Sequence, residues 1–183
     1  MQNPGFWRSA MRGLDRPCGP CQTGGLIGRT AMVKTVEELL VEARALLPHR
    51  FTPEETLHEI DLGTLVIDIR GDEQQRQDGL IPGAIIIRRN VLEWRCDPAS
   101  FWHHSEIKHH GQRVILVCDQ GYQSSLAAAN LQQLGLKQAT DMADGFSGWR
   151  NSGLPIAPYG TSSWLALRGK IRRWFLLLFR RFD

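Results

Sequence analysis

An α/β fold, with a parallel sheet covered by helices on both faces, is predicted by three features of the sequence. Short continuous apolar runs at 65–69 (LVIDI), 84–87 (AIII) and 114–117 (VILV) read as strands buried on both sides. Segments with helical spacing and clear capping signals alternate with them. Hydrophobic residues make up 42% of the 183 and charged residues 22%, a composition that can build a real core and is not that of a disordered chain.

The ordered part begins at Thr35. Thr35 and Glu38 form a capping box, and Val36, Leu39, Leu40, Ala43, Leu46 and Leu47 recur with helical spacing until Pro48. Thr52, Pro53 and Glu55 mark a second helix start, with Pro53 at the first helical position. The strand at 65–69 follows, then a polar helical turn at 72–78, a turn at 79–83 and the strand at 84–87. Residues 90–95 can form a short helix. The most apolar strand, 114–117, leads through a loop into a helix at 124–134, which Gly135 caps. A further strand is expected at 139–142, and a last short helix opens at Gly145.

The net charge of +3 is unevenly spread: residues 1–34 carry +4 and residues 161–183 carry +5, so the middle carries −6. An acidic body between two basic ends argues against a nucleic-acid-binding fold, and no nucleic-acid partner is expected. The four cysteines, Cys18, Cys21, Cys96 and Cys118, are too few for a disulfide scaffold in a chain of this length. No apolar h-region follows the N-terminus. These features predict a cytoplasmic protein with free thiols.

Cys118 carries the chemistry. Ligands in open parallel sheets bind beyond the carboxyl ends of the strands, where this cysteine stands. The nucleophile is a thiolate, which a helix N-terminus favours through its unsatisfied N–H groups. The loop Cys118, Asp119, Gln120, Gly121, Tyr122, Gln123 and Ser124 runs from strand to helix. Gly121 permits the tight path that turns backbone N–H groups toward a sulfur anion, either a thiolate or a persulfide. The competing reading is a small, inert, buried cysteine. Asp68 and Arg70, near another strand end, read as an ion pair that supports loops. Tyr122 is expected at a pocket mouth and Trp149 in the packing.

From about residue 65 to 155 the chain resembles a rhodanese domain. The match is carried, in order, by VIDIR at 66–70, GLIPGA at 79–84, the loop from Cys118 to Ser124, GFSGW at 145–149 and GLP at 153–155. The resemblance implies a five-stranded parallel sheet flanked by helices, and sulfur transfer without a cofactor or metal. Cys118 would take a sulfane sulfur from thiosulfate or a persulfide donor, hold it as a persulfide, and pass it to a thiol or cyanide. The residues from Asp119 to Ser124 would bind the substrate. The six-membered loop from Cys118 to Gln123 resembles that of sulfurtransferases, whereas related phosphatases carry a longer one. Two departures stand out. Gln123 occupies the place where the family's loop usually ends in arginine, so a hydrogen-bond donor replaces a cation. Leu80 stands where histidine is common, at a position read as structural. Gln123 and the acidic Asp119 keep a second reading open, a catalytically weak module that binds or senses sulfur species at a membrane.

The expected organisation is a flexible basic tail at 1–33, a rhodanese-like domain at 34–158 and a basic amphipathic segment at 159–183. Cys18-Gly19-Pro20-Cys21 spells a redox motif but lacks the strand and helix that such a motif needs. His103, His104, His109 and His110 read as a solvated loop, and Cys96 as packing. The stretch 164–182 interleaves aromatic and aliphatic residues with six arginines and lysines. Its longest apolar run is too short to span a bilayer but suits an amphipathic helix lying on an anionic membrane, or one docked on protein.

Overall fold

The structure is a computed structural model that describes residues 33–160. The basic tail, the Cys18–Cys21 pair and the amphipathic stretch 164–182 lie outside the described residues.

Two reciprocal capping boxes open the first two helices of the described residues. Thr35 and Glu38 cap α1 (Val36–Leu46), and Thr52 and Glu55 cap α2 (Pro53–Leu62). In each, the threonine hydroxyl accepts from the glutamate N–H, and the glutamate carboxylate accepts from the threonine N–H. The predicted apolar stripe of α1 is only partly covered. The helix packs on α5 and buries Ala43 and Leu47, while Val36, Leu39 and Leu46 stay exposed.

The remaining elements follow in order: β1 (Leu65–Asp68), α3 (Asp72–Asp78), β2 (Ile85–Ile86), a 3₁₀ turn (Arg89–Val91), α4 (Leu92–Cys96), β3 (Val114–Val117), α5 (Gln123–Gln133), β4 (Ala139–Asp141) and α6 (Gly145–Asn151). The strands form one all-parallel sheet in the order β2-β1-β3-β4. The period of two in strand side chains divides the core into two layers. Leu65, Ile67, Val114, Leu116 and Cys118 face Ala127, Ala128 and Leu131 of α5. Val66, Ile115 and Val117 face Leu57 and Ile60 of α2 and Phe146 and Trp149 of α6. Helices on both faces explain why β1 and β3 are buried throughout and apolar but for Asp68.

The sheet has four strands rather than the expected five. The fifth position is a single bridge between Phe51 and Met142 beside β4. Phe51 donates to the Asp141 carbonyl at 3.1 Å and accepts from Ala143 N–H at 2.8 Å. Pairing stops there because Thr52 is already the cap of α2 and Pro53 has no N–H to give. β2 is likewise shorter than the apolar run suggested, although Ile87 N–H still reaches the Asp68 carbonyl at 3.2 Å. Leu80 forms a two-way antiparallel bridge with Ala157, a structural position as expected. Among the described residues no helix is long and apolar enough to cross a membrane.

Candidate active site

β3 delivers Cys118 to the carboxyl edge of the sheet, where the chain turns through Tyr122 into α5. The helix begins one residue earlier than expected, so Gln123 is its first residue rather than the last of the loop. Two backbone donors and one hydroxyl converge on the sulfur. Gly121 N–H lies 3.2 Å from Sγ, Ser124 N–H lies at 3.4 Å, and Ser124 Oγ lies at 3.2 Å. Gly121 has φ +73°, and a Cβ there would lie 2.9 Å from Asp144 N and 3.2 Å from an Arg50 nitrogen. Glycine is thus required by both backbone and space. Its N–H faces the sulfur, while its carbonyl accepts from Arg44 at 2.9 Å and Arg50 at 3.1 Å.

Behind the loop sits Asp141, the last residue of β4 and fully buried. Its carboxylate accepts from Ser124 Oγ at 3.0 Å, Ser125 Oγ at 2.7 Å and Arg50 Nε at 2.8 Å. The bond to this carboxylate raises Arg50 above its already high range, against the opposing effect of burial. Ser124 has one hydroxyl proton. While Asp141 holds it, the oxygen is free to accept from the Cys118 thiol. When the sulfur is an anion, the same hydroxyl can turn to donate to it. Asp141, Arg50, Arg44 and Ser125 were not singled out from the sequence. The one local signal was an aspartate inside an apolar strand, which must find a partner when buried.

The predicted loop residues divide by exposure. Cys118 is only 5% exposed. Tyr122 is 55% exposed, with Arg44 over its ring at 5.5 Å. Gln120 and Gln123 are exposed and Asp119 is half-buried. The Asp119 carbonyl accepts from Ser147 N–H at 2.9 Å, which ties the loop to α6. The sulfur borders a small cavity of about 180 Å³ that Arg70, Asp119, Gln120, Tyr122 and Gln123 also line. A larger depression of about 700 Å³ lies beside it. The two share Gln120 and Tyr122, but the larger one does not reach Cys118.

Asp68 and Arg70 form a fully buried ion pair, Nη2 to Oδ2 at 2.7 Å. Arg70 also donates to the Gly79 carbonyl at 2.8 Å, and its guanidinium lies over the Phe146 ring at 3.5 Å. Trp149 is buried and donates to the Pro155 carbonyl at 2.9 Å. Cys96 is buried in the core, and desolvation pushes its thiol up to about 12, so it stays protonated at neutral pH. His103, His109 and His110 are exposed in the loop before β3, and His104 is partly buried. Among the described residues no group of acidic, histidine and cysteine side chains is placed to hold a metal.

Two solved structures illustrate the likeness to known proteins. A protein of unknown function from Rhodopseudomonas palustris CGA009, described as a possible tyrosine phosphatase, is 28% identical with a TM-score of 0.62, over 73% of this chain and 99% of that one. The polysulfide-sulfur transferase of Wolinella succinogenes, a homodimer, is 16% identical with a TM-score of 0.52, over 67% of this chain and 87% of that one, and this likeness concerns the fold. The family model for the rhodanese-like domain matches residues 52–152, from the cap of α2 to the end of α6, and so takes in the sheet, the cysteine loop and both core layers. The chain belongs to the rhodanese-like domain family.

Proposed function

We propose that the protein is a sulfurtransferase whose sulfur carrier is Cys118. The thiolate attacks the sulfane sulfur of a donor. With thiosulfate, the donor's S–S bond breaks, sulfite leaves with the electron pair, and the enzyme keeps a persulfide anion. With an alkyl persulfide, an alkyl thiolate leaves instead. An acceptor thiolate then attacks the outer sulfur and departs as its own persulfide, or cyanide departs as thiocyanate, and the Cys118 thiolate is restored. The observation that carries this reading is the convergence of Gly121 N–H, Ser124 N–H and Ser124 Oγ on one sulfur. The two backbone N–H groups, held in place by the fold, stabilise negative charge without reorganising, and the Ser124 hydroxyl can turn to join them.

The test is intact-mass spectrometry of the reduced protein after incubation with thiosulfate, and separately with a small alkyl persulfide. The expected result is the gain of one sulfur atom, absent in Cys118→Ser. Cys96, held protonated by burial, should not take it up. Hydrolysis of an aryl phosphate without any sulfur gain would favour a phosphatase instead.

The second reading, a binding or sensing module of low activity, is favoured by Gln123, which brings no charge to the cavity, and by the carboxylate of Asp119 beside it. Gln123→Arg separates the two. For an enzyme limited by loop charge, the variant should load sulfur from thiosulfate about tenfold faster, with a smaller gain from an uncharged donor, because a charge-assisted hydrogen bond is added at the cavity. Equal gains with both donors would mean that charge at 123 does not set donor choice.

A further inference from the structure

Arg70 carries a hydrogen-bonding capacity that the fold leaves unused. Its side chain is fully buried. Nε and Nη2 donate to the two Asp68 oxygens, and Nη2 also donates to the Gly79 carbonyl. Nη1 is buried with no partner. A charged N–H withheld from water without an acceptor is costly and needs a reason. Nor can the group turn away to find one. The Asp68 pair anchors one edge of the guanidinium, and Phe146 lies against its face at 3.5 Å. The same side chain lines the cavity of Cys118, where it is the one cation among the described residues.

We propose that Arg70 binds the sulfur oxyanion of the donor at this cavity, and so fills the role that the uncharged Gln123 does not. The proposal rests on Cys118 being the group that takes up sulfur. The donor class is one that carries a sulfonyl group next to the transferable sulfur, namely thiosulfate or an alkanethiosulfonate. Nη1 donates to an oxyanion oxygen of the bound donor. As the Cys118 thiolate attacks the outer sulfur, the donor's S–S bond breaks and its electron pair leaves on sulfite or a sulfinate, which Nη1 stabilises. Asp68 neutralises much of the guanidinium charge. The site therefore selects through a fixed N–H donor more than through net charge, and this favours the monoanionic thiosulfonate over the dianionic thiosulfate, with Asp119 opposing both.

The test compares wild type with Arg70→Lys, which can keep an ion pair with Asp68 but loses the planar fork and Nη1. The rate of sulfur gain on Cys118 is followed by intact mass with thiosulfate, with methanethiosulfonate and with an alkyl persulfide, which has no oxyanion. The expected result is a rate loss about tenfold greater with the two oxyanion donors than with the persulfide, the size of one charge-assisted hydrogen bond. Equal losses with all three donors, or no loss, would overturn the proposal.

Should Arg70→Lys fail to fold, the double variant Asp68→Leu with Arg70→Met removes the whole pair at similar volume, a replacement that cores tolerate. It should show the same donor-selective loss. Should wild type take sulfur from no donor, sulfur transfer itself is lost, and an arm without chemistry decides Arg70. Sulfate, at ionic strength held constant with chloride, should slow iodoacetamide alkylation of Cys118 in wild type and not in the variant. Absence of that protection in wild type would leave no oxyanion site.

Discussion

Gly145→Ala is expected to destabilise the domain by about 2–5 kcal/mol, and to slow sulfur loading on Cys118 at least about tenfold, because α6 rests directly on the cysteine loop. Gly145 has φ +56°, and a Cβ there would lie 2.5 Å from the Cys118 carbonyl oxygen and 2.6 Å from the Asp119 carbonyl carbon and oxygen. All three are backbone atoms, so no rotamer can relieve the contact. Phe146 N–H donates to the Cys118 carbonyl at 2.8 Å and Ser147 N–H to the Asp119 carbonyl at 2.9 Å. The first turn of α6 thus satisfies its free N–H groups on the two peptide carbonyls that begin the loop. Pushing the helix away breaks both bonds and displaces the sulfur from Gly121 and Ser124. Urea denaturation should give a lower midpoint at an unchanged slope, and intact mass should report the loading rate. Wild-type stability in this variant would contradict the close approach.

Asp141→Ala is expected to cost about 3 kcal/mol, the lower end of the range for breaking a buried ion pair. The lower end applies because the Arg50 side chain is 25% exposed and recovers some hydration, whereas Asp141 is fully buried. The change also strands the Ser124 and Ser125 hydroxyls, which are buried and both donate to the same oxygen. Asp141→Asn keeps an acceptor and should cost less, about 1–2 kcal/mol. The comparison separates the carboxylate's charge from its hydrogen bonds. Equal losses would assign the whole effect to charge. Asp141→Ala should also slow sulfur loading, since the freed Ser124 and Ser125 hydroxyls no longer anchor the start of α5 behind the sulfur, and Asp141→Asn, which keeps an acceptor, should slow it less.

The sequence by itself determined the parts of this protein that depend on neighbours in the chain. Thr35 with Glu38, and Thr52 with Glu55, announced two helix starts, because a capping box is complete within four residues. The runs at 65–68 and 114–117 announced buried parallel strands, because both faces of each strand had to be apolar. Cys118 was legible as the candidate reactive position, because strand, glycine loop and helix follow one another directly. Only the tertiary structure decided what surrounds that sulfur. Arg50 and Asp141 are 91 residues apart and meet because α2's leading segment runs alongside β4. Arg44 reaches Gly121 from 77 residues away. Arg70 looked like a loop anchor, and its unpartnered nitrogen, and its place with Cys118 in the lining of one cavity, emerged only when β1 and β3 were set side by side. Gly145 gave no sign that its missing Cβ makes room for the Cys118 carbonyl. Periodicity and capping act over one or two turns of chain, whereas an ion pair or a steric fit between distant segments is set by how the sheet orders them.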